Sequence, residues 1–338
     1  MKRHSMTIGL LLSGVFLYLA FRDTDFRELW MHLRTARYWL LAPASLITIL
    51  SLYVRALRWG LLLAPLERVG PNTLFSATSI GFMSNNLLPM RLGEVIRAYV
   101  LSRSTGLRGS AAFATIIIER LFDLFCMIGI FGILLVFAPF YHRSFKFGVL
   151  FAFVVGFIAL AGLVFFYLKP EPITRLVGWC LPARIRDRLI GMLQSFGEGL
   201  GILRDFRRLV GIGLLTLVMW GLIAVVIELC FASARLEAGG TELPATASLM
   251  VLVVMAIGVM VPSGPGFVGT LQAAAVLGLA IIGYGDTDRA LSFSILYHAT
   301  QWFPVVLVGL IYLIRENLSL AQVQRLSRQE DLEPPAQG

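Results

Sequence analysis

The chain has 338 residues, of which 57% are hydrophobic and only 14% are charged, and its mean hydropathy is +0.80. So little polar surface excludes a soluble globular domain and predicts an all-α polytopic membrane protein. The formal net charge of +9 comes from basic residues dispersed among apolar segments, which argues against a nucleic-acid partner. The three cysteines lie far apart, so we expect neither a disulfide framework nor a metal site, and no cofactor.

Apolar runs of about 20 residues, the length that crosses the hydrocarbon of a bilayer, predict the membrane spans. In chain order they are a shorter first run, Thr7 to Phe21, followed by Leu40 to Leu63, Ala111 to Ala138, Phe147 to Leu168, Leu209 to Phe231 and Leu291 to Ile314. No small-residue cleavage site follows the first run, so we interpret it as a retained helix and not as a secretory signal.

Charge predicts the orientation of these spans. The polar stretch Lys169 to Arg208 carries eight basic against four acidic residues, which the positive-inside rule places in the cytoplasm. With this stretch inside, the N-terminus and the C-terminus are both predicted to be cytoplasmic.

Two halves of the chain repeat one order of segments: span, span, broken segment, span. They cover about residues 7–138 and 146–314 of a single membrane domain, 1–316, with an amphipathic insertion at 169–208 and a short polar tail at 317–338. The first broken segment is interrupted at Pro89 and the second at "VPSGPGFVG". If each broken segment enters and leaves by the same side, the halves are inverted, as in many transporters. We therefore expect about six full spans and two re-entrant hairpins; the alternative is that proline and glycine merely kink two ordinary spans, which gives eight.

Charged residues accumulate around the first break. Arg91, Glu94 and Arg97 recur every three residues, a spacing that gathers them on one side of a helix. Candidate headgroup-binding residues here are the break-flanking amides Asn85 and Asn86, these three residues, Arg58 of the second span, and Glu119, Arg120 and Asp123 of "TIIIERLFDLF". Two structural alternatives stay open. Glu119, Arg120 and Asp123 could form an ion-pair network that locks helices together, and Arg58, with Arg55, could reach lipid headgroups at the end of its span.

The second half contains far fewer charges. Helix-breaking residues are predicted in both halves, at Pro89, Gly93, Pro262, Gly264, Pro265, Gly266 and Gly269. Glu228 in the fifth span, and His298 and Gln301 in the last, are candidates for coupling transport to an ion or proton. The alternative for His298 is a packing role.

Three ordered motifs, "NNLLPMRLGEVIRAYVL", "ATIIIERLFD" and "PSGPGFVGTLQ", resemble the lysylphosphatidylglycerol synthase transmembrane-region family, also called the flippase-like domain family. The resemblance implies a domain that moves aminoacylated phosphatidylglycerol, or lipids of hopanoid or polyisoprenyl-linked sugar pathways, between leaflets. Since the sequence ends at Gly338 after a short tail, we expect a stand-alone member without the synthase domain.

These observations predict a translocase that moves or binds an anionic lipid headgroup, with membrane lipids and lipid-biosynthesis enzymes as its partners. No HExxH or GxSxG motif is present, so we expect a protein that is not an enzyme. An ATP-binding GxxxxGK[ST] loop is also missing from the sequence, so we expect any active transport to be driven by a gradient or a partner. The alternatives are a membrane enzyme that acts on a lipid headgroup and a non-transporting partner of a lipid-synthesis complex.

Overall fold

The computed structural model describes residues 13–22, 24–88, 92–137, 205–238, 240–260 and 263–318, together with scattered positions between 154 and 202 and residue 322. The predicted break residues Pro89 and Pro262, the candidate Arg91 and most of the predicted span Phe147 to Leu168 lie outside the described residues.

Helices account for nearly all of the described secondary structure. Labelled in chain order, they are α1 (Phe26–Arg34), α2 (Leu41–Leu63, preceded by a 3₁₀ turn at Tyr38–Leu40), α3 (Pro71–Leu87), α4 (Gly93–Thr105), α5 (Gly109–Phe137), α6 (Phe206–Ala234), α7 (Ala245–Met260), a 3₁₀ turn at Pro265–Phe267, α8 (Thr270–Ile281) and α9 (Thr287–Arg315). Residues 13–21 are also helical, and two short strands, β1 (Glu237–Ala238) and β2 (Thr241–Glu242), pair antiparallel between α6 and α7. The prediction of an all-α membrane protein is confirmed.

Long apolar helices form the frame of the protein. Within the described ranges, three are long and apolar enough to cross a membrane: Tyr38–Leu63, Phe206–Ala234 and Thr287–Arg315. Polar caps fix where the last two begin, because Asp205 and Asp286 accept the amide hydrogens of Arg208 and Arg289. The apolar run after Gly109 forms a 29-residue helix, α5, that carries its charged residues in its first half.

Both broken segments fold back on themselves as antiparallel helical hairpins. In the first, Asn85 of α3 lies beside Gly93 of α4, whose amide donates to Asn85 Oδ1 at 2.8 Å, and Gly81 lies against Arg97. In the second, α7 and α8 approach so closely at Gly258 that a Cβ there would overlap the Ala274 Cβ. The chain thus reverses at each interruption instead of continuing as one kinked helix. That the hairpins are re-entrant and that the two halves are inverted stay predictions.

The first hairpin contacts the turn of the second at the end of α3. Gly266, in the 3₁₀ turn of the second hairpin, has φ of +70°, which favours glycine. A Cβ at this position would lie 3.2 Å from both the Asn86 carbonyl oxygen and the Trp302 Nε1. The end of α3 and the turn at Pro265–Phe267 are therefore in contact, with α9 beside them.

The remaining contacts between helices come in matched pairs across the two halves. The second spans of the halves, α2 and α6, pack against each other, and each hairpin also packs on the last span of the other half, α3 on α9 and α7 on α5. Among the described residues, the two larger hydrophobic cores lie mainly among α2 to α5 and mainly among α6 to α9.

Candidate anion-binding site

Three helices bring seven charged side chains into one group, which we call the arginine cluster. A spacing of three residues places two of its members on one side of α2 and two on one side of α4. α4 packs against α5, which carries the other three. The arginine cluster consists of Arg55 and Arg58 from α2, Glu94 and Arg97 from α4, and Glu119, Arg120 and Asp123 from α5.

Glu119 is the centre of the arginine cluster. Its carboxylate is fully buried and accepts from Arg97 Nη1 at 3.0 and 3.2 Å. Arg58 Nη2 and Arg120 Nη2 each lie 3.0 Å from Glu119 Oε1, while Arg55 Nη1 is farther away at 3.6 Å. Four cations around one buried carboxylate stabilise its charged form, since an isolated charge here would be costly.

Asp123 is the second buried anion and binds mainly Arg58. Arg58 Nη1 donates to Asp123 Oδ1 at 2.6 Å and Nη2 to Oδ2 at 3.3 Å, a bidentate pair that is typical of guanidinium and carboxylate groups. On α6, Thr216 accepts a further hydrogen bond from Arg58 Nη1 at 2.8 Å, and Trp220 Nε1 donates to Asp123 at 3.2 Å. Arg58 therefore ties α2 to α5 and α6.

Aromatic rings cover the faces of two guanidinium groups. The Arg97 Cζ lies 3.9 Å from the centre of the Trp59 ring, and the Arg55 Cζ lies 4.7 Å from the Phe82 ring. A ring face is electron-rich and attracts a cation, an effect that grows when water is excluded. Trp59 is itself held by a hydrogen bond from its Nε1 to Thr115 Oγ1 at 2.9 Å.

Positive charge is in excess within the described part of the cluster. Four guanidinium groups face three carboxylates there, and Arg91 lies outside the described residues. Among the described residues, several buried guanidinium nitrogens also find no hydrogen-bond partner: Arg55 Nη1, Arg58 Nε, Arg97 Nε and Nη2, and Arg120 Nε. Buried polar groups are nearly always hydrogen-bonded, so unused donors of this kind indicate a place where a further acceptor can bind.

The arginine cluster opens to the surface at one edge. Arg120 has 37% of its side chain exposed and Glu94 has 29%, whereas the other five members are each below 10%. Arg120 Nε and Glu94 Oε1 lie 3.7 Å apart across this opening. A ligand that reaches the buried arginines from this edge meets the Glu94–Arg120 pair first.

The structure brings together most of the predicted site residues of the first half. Arg58 is completely buried in the cluster, so it does not extend to headgroups at the end of its span. Asn85 instead caps α4, and Asn86 lies at the contact between the two hairpins; a headgroup role for either stays a prediction. Sequence reasoning missed Trp59, Phe82, Thr216 and Trp220. Of these four residues, only Trp59 could have been found from the sequence, because it directly follows Arg58 in the run "RALRW".

The polar residues of the second half form smaller, neutral contacts. Gln272 accepts the Gly269 amide at 2.8 Å and donates to His298 Nδ1 at 2.8 Å. Gln301 donates to Thr48 Oγ1 of α2 at 3.0 Å.

Within the described part of the chain, no hydrogen bond or ion pair joins the three candidate coupling residues Glu228, His298 and Gln301 to one another. One carboxylate oxygen of Glu228 is buried without a hydrogen-bond partner in the described structure. Within the described ranges, no hydrogen bond or ion pair joins Glu228, His298 or Gln301 to the arginine cluster. Their coupling role stays a prediction. Also within those ranges, no group of three or more His, Cys, Asp or Glu side chains is arranged to hold a metal ion.

Taken together, the apolar helices, the paired hairpins and the buried charged cluster define an integral membrane protein with a polar interior. The chain belongs to the family described as Lysylphosphatidylglycerol synthase TM region, which matches residues 6–309. This match confirms the resemblance drawn from the three sequence motifs.

Named relatives agree with a membrane protein of this family. A UPF0104 membrane protein of Methanothermobacter thermautotrophicus is 23% identical over 92% of this chain and 93% of its own length. A further match to a UPF0104 membrane protein of the same organism is 37% identical over 90 residues, which are 26% of this chain and 26% of that protein. Glycosyltransferase AglD of Haloferax volcanii is 32% identical over 138 residues, which are 40% of this chain and 22% of AglD. The chain thus spans about a fifth of AglD.

Proposed function

We propose that this protein binds the headgroup of an anionic lipid, or of a lipid-linked phosphate, and moves it between the leaflets of a bacterial inner membrane. The observation that carries the proposal is the arginine cluster, a buried group with excess positive charge and unused hydrogen-bond donors among membrane helices. Membership of a family named for the membrane region of a lipid synthase supports a lipid as the ligand.

A headgroup that crosses hydrocarbon needs polar partners, because a charge in an apolar medium is costly. Guanidinium groups match phosphate oxygens in charge and geometry and bind them with strong, charge-assisted hydrogen bonds. In this proposal the headgroup enters beside Glu94 and Arg120 and reaches Arg97, while its acyl chains stay in the surrounding lipid.

The arginines divide into two roles in this proposal. Both Nη atoms of Arg58 are already engaged with Asp123, and Glu119 and Thr216 also lie within reach, so Arg58 holds the helices in position. Arg120 at the opening and Arg97 behind it have donors left for a ligand. The carboxylates prevent the arginines from repelling one another while no ligand is bound.

A second candidate is a non-transporting membrane partner that presents a lipid-linked headgroup to an enzyme. The partial similarity to a protein named glycosyltransferase favours it. Neither candidate gives this chain a catalytic step, and both use the same cluster. They differ in whether the bound headgroup changes leaflet.

Leaflet exchange in proteoliposomes separates the two. With fluorescent phosphatidylglycerol and fluorescent phosphatidylcholine as probes, we expect protein-dependent bleaching of the inner-leaflet anionic probe by external dithionite, and slower exchange of the zwitterionic probe. Arg120→Gln should slow anionic exchange by about tenfold, equivalent to ~1.4 kcal/mol. The matched control is Arg103→Gln, an exposed arginine of the same hairpin, which should leave exchange unchanged.

Each outcome has a defined meaning. Binding of the anionic probe without exchange would favour the presenting partner. Equal exchange of both probes, unaffected by Arg120→Gln, would contradict a headgroup site in the arginine cluster.

A further inference from the structure

The helix α1 has an apolar side that the protein covers only in part. At about 100° per residue, Leu29, Leu33, Phe26 and Trp30 follow one another around the helix within an arc of about 100°. Leu29 is buried and Leu33 packs beside it, in a small core with Ala20 and Leu291. The adjoining half of the arc is uncovered, with Phe26 65% and Trp30 64% exposed.

The position of α1 is fixed by contacts with the ends of two long helices. The Asp25 amide, at the start of α1, donates to Asp288 Oδ1 in the first turn of α9 at 3.1 Å. After α1, the Arg37 amide donates to the Ser233 carbonyl oxygen near the end of α6 at 2.9 Å. These contacts hold α1 beside the first turn of α9, so the uncovered arc is a fixed surface of the protein.

More exposed aromatic residues follow α1 where the first candidate span begins. Tyr38 and Trp39 form the turn that opens the span Tyr38–Leu63, and they are 53% and 70% exposed. They therefore lie at one end of that candidate span. Because α1 ends at Arg34, four residues before Tyr38, its Phe26–Trp30 edge lies near the same end of the span.

Basic residues border the exposed aromatic edge. Arg27 and Arg34 lie next to Trp30 around the helix, and both are exposed, as is Arg37. Glu28 and His32 occupy the opposite side of α1. Tryptophan and arginine on adjoining faces of an amphipathic helix are typical of a helix that lies in the boundary between headgroups and acyl chains.

We propose that α1 is an interfacial helix that lies along one leaflet, with its Phe26–Trp30 edge among the acyl chains and with Arg27 and Arg34 among the lipid phosphates. A bilayer fits this surface better than a soluble partner does, since the two ends of α1 lie beside ends of two candidate membrane spans, at Asp288 of α9 and Ser233 of α6, and the exposed Tyr38 and Trp39 open a third. This inference does not depend on the proposed transport function.

Site-directed spin labelling of the full chain in phosphatidylcholine–phosphatidylglycerol nanodiscs tests it. The native cysteines are replaced by alanine, and single cysteines are introduced as Trp30→Cys, Trp39→Cys and, as a matched control about 160° from Trp30 on the same helix, Glu28→Cys. Collision with oxygen reports an acyl environment, and collision with a water-soluble nickel chelate reports an aqueous one.

We expect labels at positions 30 and 39 to collide several-fold more with oxygen than with the nickel chelate, and the label at position 28 to do the reverse. The use of two aromatic positions guards against local unfolding at one of them. Equal nickel accessibility at positions 28 and 30 would overturn the proposal, because the edge would then lie in water. Shielding of position 30 from both reagents would also overturn it, since a protein partner or a second copy would then cover the edge.

Discussion

The two helical hairpins have similar architecture and opposite chemistry. In the first, α4 carries Glu94 and Arg97 into a network of buried ion pairs with α2 and α5. In the second, α8 carries Gln272, which makes neutral hydrogen bonds to Gly269 and His298. The contrast teaches that a hairpin turn inside a membrane protein needs only neutral capping groups. The charges of the first hairpin are not required for the turn, and burying them costs free energy unless each is paired with an opposite charge or a ligand.

The largest expected effect is at the centre of the charged hairpin network. Glu119→Lys would place a fifth cation among four guanidinium groups, three of them buried, and we expect a loss of unfolding free energy of at least ~3–5 kcal/mol and little folded protein. Glu119→Gln keeps a hydrogen-bond acceptor and should cost about 1–3 kcal/mol. Membrane yield and thermal unfolding in detergent measure both; wild-type behaviour of the lysine variant would show that the network is open to water.

Close helix packing should matter equally in both hairpins. A Cβ at Gly81 would lie 2.8 Å from the Gly93 carbonyl oxygen, and one at Gly258 would overlap the Ala274 Cβ. Gly81→Ala and Gly258→Ala should each destabilise the protein by about 1–3 kcal/mol, because the helices must move apart. The control is Gly129→Ala, where a methyl group has no atom within 4 Å. If all three variants melt at one temperature, the hairpins are not packed as described.

The neutral hairpin should contribute to stability and not to lipid selectivity. Gln272→Leu removes the cap of Gly269 and the partner of His298, so we expect a loss of ~1–2 kcal/mol from two hydrogen bonds. Exchange of fluorescent phosphatidylglycerol in proteoliposomes should keep its preference over phosphatidylcholine. Loss of that preference with unchanged stability would place part of the ligand site in the second half.

The smallest effect on stability is expected at the opening of the cluster. Glu94 and Arg120 form a long, partly exposed pair, so Glu94→Gln should change the unfolding free energy by less than ~1 kcal/mol. The same change removes a negative charge that competes with an incoming anion, and half-saturation with phosphatidylglycerol should shift to lower lipid concentration. A shift to higher concentration would mean that Glu94 contacts the ligand favourably.

The sequence predicts long elements well and helix ends less well. The predicted run Leu209 to Phe231 is shorter than the helix that contains it, Phe206–Ala234. Hydropathy misses the first turn because a polar cap such as Asp205 starts the helix before the apolar residues begin. Both hairpins were expected from the proline and glycine interruptions. The direction in which each hairpin folds depends on close contacts such as Gly81 with Arg97, which no local pattern encodes.

The site was predictable within helices and not between them. The four-residue spacing of Glu119 and Asp123 predicts a shared face, and the structure places both carboxylates around Arg58. The approach of Thr216 and Trp220 depends on the packing of α6 against the rest of the bundle. A single sequence contains no record of that packing.

The position of a bound anionic headgroup tests the central claim most directly. A cryo-EM map of the protein in nanodiscs that contain phosphatidylglycerol should place a headgroup phosphate within hydrogen-bonding distance of Arg120 and Arg97, and Arg120→Gln should remove that density. The claim would be contradicted if, in both the wild type and the Arg120→Gln variant, headgroup phosphates were found only at the membrane surface and the arginines of the cluster bound only its own carboxylates.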